Sequence, residues 1–189
     1  PGAMIMSEMK PPRQATMFVG GAYDAPDAPV ERNTPAFLPP MKKKKDMYTR
    51  MDLAEWLVAP NHPLTSRVAV NRFWQQIFGV GLVKTSEDLG AQGEWPSHPE
   101  LLDELAVTFM ETGWDVKKLF RSILLSSTYK QSSDADPEAY TKDPENRQLA
   151  RSSRYRLDAE VIRDQILAVS GQLNNTMSVS YTHLTLPTI

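Results

Sequence analysis

Three groups of polar residues have the types and spacing to do chemistry. The first is His98 with Glu100 and Asp103, at the start of a helical pattern. An imidazole beside carboxylates can run acid–base chemistry or hold a divalent metal. The same residues also suit a plain helix start, with Ser97 as cap, Glu100 completing a capping box and Asp103 at the positive end of the dipole. Spacings such as HxxxH or HExxH do not occur, so no metal site is assigned. The second group is Asn71-Arg72 in VNRFW. It could grip an anion or partner, or set helix register through a polar network. The third runs from Arg147 to Asp164, where Arg147, Arg151, Arg154, Arg156 and Arg163 alternate with Asp158, Glu160 and Asp164. Arg156 lies four residues before Glu160, and Glu160 three before Arg163, so ion pairs along a helix are expected. In the functional reading, Arg151, Arg156 and Arg163 present forked donors to a sulfated or carboxylated glycan, or to a partner protein. Glu160 and Asp164, one turn apart, then act as paired carboxylates held ionised by neighbouring cations, which suits a base or nucleophile. The candidate catalytic residues are thus Glu160, Asp164 and His98. Ser126 and Ser127 have neither GxSxG nor SxxK context and read as a helix end, not a nucleophile.

The elements that must position these groups are mostly helical. ATMFVGGAY at 15–23 is a short strand closed by Gly20-Gly21. Five prolines between Pro26 and Pro40 block both helix and central strand, which predicts an extended arm over 24–40. Lys42 to Lys45 follow as a solvated charge run or an anionic-polymer contact. Thr49-Arg-Met-Asp52 has the form of a capping box before LAEWLV, and Pro60 stops that helix. In LTSRVAVNRFWQQIFG, residues Val70, Phe73, Trp74, Ile77 and Phe78 make one apolar stripe, with Gly79 as its stop. A further helix carries Leu102, Leu105, Ala106, Phe109 and Met110 to Gly113. Another, capped by Asp115, carries Val116, Leu119, Phe120, Ile123 and Leu124. A polar stretch at 132–143 precedes a last helical region from Pro144 to Ser170. The fold class expected is mainly α: a helical bundle-like domain with an N-terminal short strand and a Pro-rich extended arm.

Composition narrows the classes. A net charge of −2 provides no basic field to recruit nucleic acid or an anionic membrane. Cysteine is absent, which excludes disulfides, thiolate nucleophiles, Cys-ligated zinc and a CxxCH haem attachment within these residues. No apolar run reaches the ~20 residues of a membrane helix. The tail from Ser178 to Thr188 reads as the translation of an adapter left by a transposase-based sequencing library method. It is set aside with His183, and the chain is read as a metagenomic fragment whose native start lies upstream of Pro1. The organisation expected is 1–48 strand, Pro-rich arm and Lys linker; 49–177 a truncated helical domain; 178–189 adapter translation.

The ordered motifs MIMSEM at 4–9, GAYD at 21–24, LAEWLV at 53–58, NHPLTSRVAVNRFW at 61–74, FGVGLVKTSEDLG at 78–90, PSHPELLDELA at 96–106, GWDVKKL at 113–119, SSTYKQSS at 126–133, DPENR at 143–147 and RLDAEVIRDQ at 156–165 resemble one family, over nearly everything from Met4 to Leu173. It is the planctomycete secreted domain of unknown function, found toward the C-terminus of long exported proteins, often behind a cytochrome-c-like domain. Three positions depart from it: Gly20, Leu89 and Glu104 stand where the family usually has Arg, Phe and Trp. The resemblance implies a secreted, periplasmic or cell-surface location. It also implies no cofactor in these residues, with haem c in a separate upstream domain. The partners expected are other domains of the same polypeptide, an anionic polysaccharide or a partner protein, with no nucleic acid and no membrane span. The function expected is that of a non-catalytic structural or interaction module of a cytochrome-c-associated protein. The alternative is a hydrolase or lyase acting on acidic or sulfated polysaccharide.

Overall fold

The structure, a computed structural model, describes residues 4–9, 11–44 and 46–174. The stretch 178–189, with His183, lies outside them. The chain divides into two compact units, Pro1–Ser153 and Arg154–Ile189.

The first unit opens with an antiparallel hairpin, β1 (Ala15–Phe18) and β2 (Pro26–Val30), joined through a tight helical turn at Val19–Gly21. Gly20 and Gly21 sit at φ 58° and 77°, in the left-handed region that glycine enters without strain. The prolines of the extended arm block a central strand but not an edge one: Pro26 and Pro29 lie within β2, opposite Phe18 and Thr16. Each strand of a two-stranded sheet has an unpaired edge, where a residue without N–H loses nothing. The segment before the hairpin reaches the helical part through Glu8. Its carboxylate accepts the backbone N–H of Arg50 at 3.2 Å and its Nε at 3.0 Å, and these contacts lower its pKa.

Helix α1 (Arg50–Leu57) begins at the capping box read from sequence. The Thr49 hydroxyl accepts from Asp52 N at 3.3 Å, and Asp52 Oδ2 accepts from Thr49 N at 2.8 Å. Helix α2 (Thr65–Phe78) ends at Gly79 with φ 82°, and α3 (Pro99–Glu111) is followed by Gly113 at φ 73°. Helix α4 (Val116–Leu125) is capped by Asp115, whose carboxylate accepts from Lys118 N at 2.9 Å. Two short helices follow, α5 (Ser127–Lys130) and α6 (Pro137–Lys142); the latter lies in the polar stretch 132–143, with Asp136 as its cap.

The core gathers the three predicted stripes: Val70, Trp74 and Phe78 from α2, Leu102 and Phe109 from α3, Leu119 and Ile123 from α4. Fully burying such side chains contributes about 1.5–3 kcal/mol each. Trp74 stacks on Phe78 with centroids 4.2 Å apart, and Phe73 meets Phe120 edge to face at 5.4 Å. Leu82 and Val83 complete the core, although they belong to the long loop between α2 and α3.

Two expected helix starts are corrected. Ser97 does not cap α3; its N–H and hydroxyl both go to the carbonyl of Leu82, at 2.9 and 3.3 Å, and His98 is the N-cap without a side-chain bond. The helix expected from Pro144 begins only at Ala159, as α7 (Ala159–Val169) in the second unit. Between them, the Asp143 carboxylate takes the N–H groups of Arg147 and Gln148 at 2.8 and 2.7 Å. Asn146 and Leu149 adopt φ 53° and 56°. A short acid that captures following amides offers the backbone an alternative to helix. Burial raises the Asp143 pKa, but the two amides together with the charges of Arg151 and Arg147 outweigh it, and the carboxyl stays below its ordinary range.

Candidate functional site

The loop from Gly79 to His98 carries no regular secondary structure, yet it is knitted at nearly every turn. Asn71, fully buried on α2, holds one end. Its Oδ1 accepts from Val83 N at 2.8 Å, and its Nδ2 donates to Val83 O at 3.0 Å and Ser86 Oγ at 3.2 Å. Ser86 donates in turn to Gln75 Oε1 at 2.7 Å. A Cβ on Gly81 would lie 2.7 Å from Asn71 Nδ2 and 2.6 Å from Val83 O, so this position has room only for hydrogen. From the other side, Arg147 spreads its guanidinium over two carbonyls, Nη1 to Gly81 O at 2.8 Å and Nη2 to Leu82 O at 2.9 Å. Lys84 adds an exposed ion pair with Glu145, which raises the lysine pKa.

Further along, Thr85 Oγ1 donates to Asp88 O at 2.8 Å and accepts from Glu94 N at 2.9 Å. Asp88 Oδ1 caps Gly90 N at 2.7 Å. A Cβ on Gly93 would fall 2.1 Å from Asp88 O. The loop thus closes on itself and meets α2 and α3 around a cleft of about 560 Å³. Val83, Leu89 and Leu102 are among its apolar lining, with Arg67, Glu94 and Asp103 as its charged groups and Trp95 exposed beside them. Arg67 Nε donates to Asp103 Oδ1 at 2.6 Å, and the guanidinium lowers that carboxyl's pKa. Clefts of this size with few convergent polar groups are the usual form of a ligand site.

The residues singled out from sequence are placed as follows. Of His98, Glu100 and Asp103, only Asp103 lines the cleft; the His98 ring contacts Ser97 Oγ at 3.1 Å and Glu100 is exposed. Asn71 holds the loop, while its neighbour Arg72 is exposed and has no ion pair among the described residues. Arg151 is buried. Its Nη2 donates to Asp143 O and Pro144 O at 2.8 and 2.9 Å, and its guanidinium lies over the Tyr140 ring at 4.2 Å. Glu160 and Asp164 are exposed on α7. Among the described residues, the ion pair found on α7 is Arg163–Asp164 at 3.8 Å. Arg156 cannot pair along the helix, because it precedes the N-cap Asp158. Among the described residues, no group of three His, Asp or Glu side chains is placed to hold a metal ion.

His62 has a structural part that the sequence did not reveal. Its buried ring accepts through Nδ1 from Leu64 N at 3.3 Å and Thr65 N at 3.2 Å, and so caps α2. Those two donors put the ring proton on Nε2. The ring meets Trp56 edge to face at 4.4 Å, and burial lowers its pKa. Arg67, Glu94 and Trp95 were also missed. The signal was GEWP at 93–96, a tryptophan between an acid and a proline outside every apolar stripe.

Residues 49–187 match the family described as PSD1, protein of unknown function (DUF1553). The chain belongs to that family. The whole cleft and the residues that clamp its loop lie within the PSD1 match. No curated protein and no solved structure matches the chain. No helix among the described residues is long and apolar enough to cross a membrane.

Proposed function

We propose that this PSD1 domain is a non-catalytic interaction module of a large exported, cytochrome-c-associated protein of planctomycete type. Its nearest partners are the other domains of the same polypeptide, with haem c carried upstream. The observation behind this reading is how the polar side chains are used. Asn71, Arg147 and Arg151 are engaged with backbone groups of their own unit, and Arg67 with Asp103 and Pro63 O. Such bonds shape a surface and leave few groups for proton transfer. The enzyme alternative needs Glu160, Asp164 or His98 poised against a substrate. His98 has Ser97 as its polar neighbour, and the two carboxylates stand exposed on α7.

Two experiments test the proposal. A long read through the parent gene should place a signal peptide and a CxxCH motif upstream in frame, with the tail from Ser178 replaced by a different continuation. The parent protein should also keep its activities in the triple variant His98→Ala, Glu160→Ala, Asp164→Ala. An activity on polysaccharide that disappears in that variant, at unchanged melting temperature, would establish the enzyme instead.

A further inference from the structure

The cleft carries an inference about ligand class that rests on the module reading above. Trp95 is 89% exposed, the most water-accessible of the large aromatic side chains among the described residues. Slack in the chain does not account for this. The residue before it is held by Glu94 N to Thr85 Oγ1 at 2.9 Å, and Ser97, two residues on, by its N–H to Leu82 O at 2.9 Å, with Pro96 between. A rigid backbone therefore presents an indole to water, and contact with a ligand would cover area that such rings bury readily.

The charged lining of the cleft decides what that ligand is. It consists of one guanidinium, Arg67, and two carboxylates, Glu94 and Asp103. An anionic ligand would meet two carboxylates against one guanidinium that is already paired with Asp103. A cationic ligand would find Asp103 already held by Arg67 at 2.6 Å, which leaves it the exposed Glu94 alone. A neutral ligand that both donates and accepts hydrogen bonds meets neither obstacle. A guanidinium beside a carboxylate offers donor and acceptor sites side by side, as adjacent hydroxyls require. An aromatic face takes the C–H face of a pyranose. We infer that the cleft between the 79–98 loop and helices α2 and α3 is a binding site for a neutral saccharide, stacked on Trp95 and hydrogen-bonded by Arg67, Asp103 and Glu94.

The test uses the full chain and neutral tetrasaccharides of glucose, mannose, xylose and N-acetylglucosamine. A sulfated tetrasaccharide and a leucine–lysine peptide serve as competitors. Titration calorimetry and acrylamide quenching of tryptophan emission report binding. At least one neutral tetrasaccharide should bind and shield the exposed indole. Trp95→Ala should weaken it about tenfold or more, and Trp95→Phe should retain most of it. The melting temperature should hold in both variants, because the side chain has little packing to lose. The inference is overturned if no neutral tetrasaccharide binds at millimolar concentration, if Trp95→Ala binds like the parent chain, or if only the sulfated sugar or the peptide binds. Cleavage of the bound sugar would support the site and overturn the non-catalytic reading. Capture of the upstream domain with no sugar binding would overturn the site and leave the module reading standing.

Discussion

Replacing Asn71 with alanine tests the central structural claim, that one buried amide holds the cleft loop in place. The side chain is fully buried and exchanges two hydrogen bonds with the backbone of Val83, at 2.8 and 3.0 Å. Without it, Val83 N–H has no partner in a dry environment, which costs roughly 1–3 kcal/mol. The Val83 carbonyl loses less, because Ser86 Oγ also approaches it at 3.5 Å. The void left by the amide adds a cavity contribution. Together these give a destabilisation of roughly 2–4 kcal/mol, against a typical domain stability of 5–15 kcal/mol. Urea unfolding followed by far-UV circular dichroism should show a lower midpoint at an unchanged slope. Hydrogen exchange should show the Val83 amide protected in the parent and fast in the variant. A loss below about 1 kcal/mol, or a Val83 amide still protected, would refute the reasoning, because the bonds would then be replaceable.

Three further outcomes are expected. Arg147→Lys replaces a fork over Gly81 O and Leu82 O with one ammonium and should cost about 1–2 kcal/mol in the same urea assay. Gly93→Ala forces a methyl to 2.1 Å from Asp88 O, so it should distort the turn before Trp95, shift the fluorescence of that residue and lower the melting temperature. His62 has a folded pKa below its unfolded value, so its stabilisation is complete above the unfolded value near 6.5 and falls as pH drops through that value toward the folded one. His62→Asn, which keeps an acceptor for Thr65 N, should flatten stability over that window; an unchanged pH dependence would remove His62 as its source.

The parts of the fold that were legible rest on local spacing. The α2 stripe from Val70 to Phe78, the capping box Thr49–Asp52 and the Asp115 cap each lie within one or two helical turns, where periodicity and side-chain reach decide the outcome. The illegible parts depend on distant partners. Ser97 has the right type and spacing for a cap, but the Leu82 carbonyl, 15 residues away, claims its hydroxyl. Arg147 reads as part of a charged helix face, but its guanidinium belongs to the Gly81 and Leu82 carbonyls, 66 and 65 residues away; the turn at Asp143 is local and was outweighed by the charge pattern. The cleft was invisible for the same reason. Its loop has no period, and Arg67 meets Asp103 across two helices separated by 36 positions in the chain.

The two-sided hold on the loop also sets an order of events. Asn71 lies 12 residues from Val83, whereas Arg147 lies 66 from Gly81. A chain emerging from the ribosome can make the first contact once α2 and the loop are out. The second must wait until the DPENR segment has followed. Contacts of such separation form late and slow the final steps of folding. A product that stops before residue 147 would lack the donor of the Gly81 carbonyl, while the Leu82 carbonyl would keep Ser97 alone. The far segment thus acts as a completion mark, and the surface around Trp95 is finished only on chains that carry it.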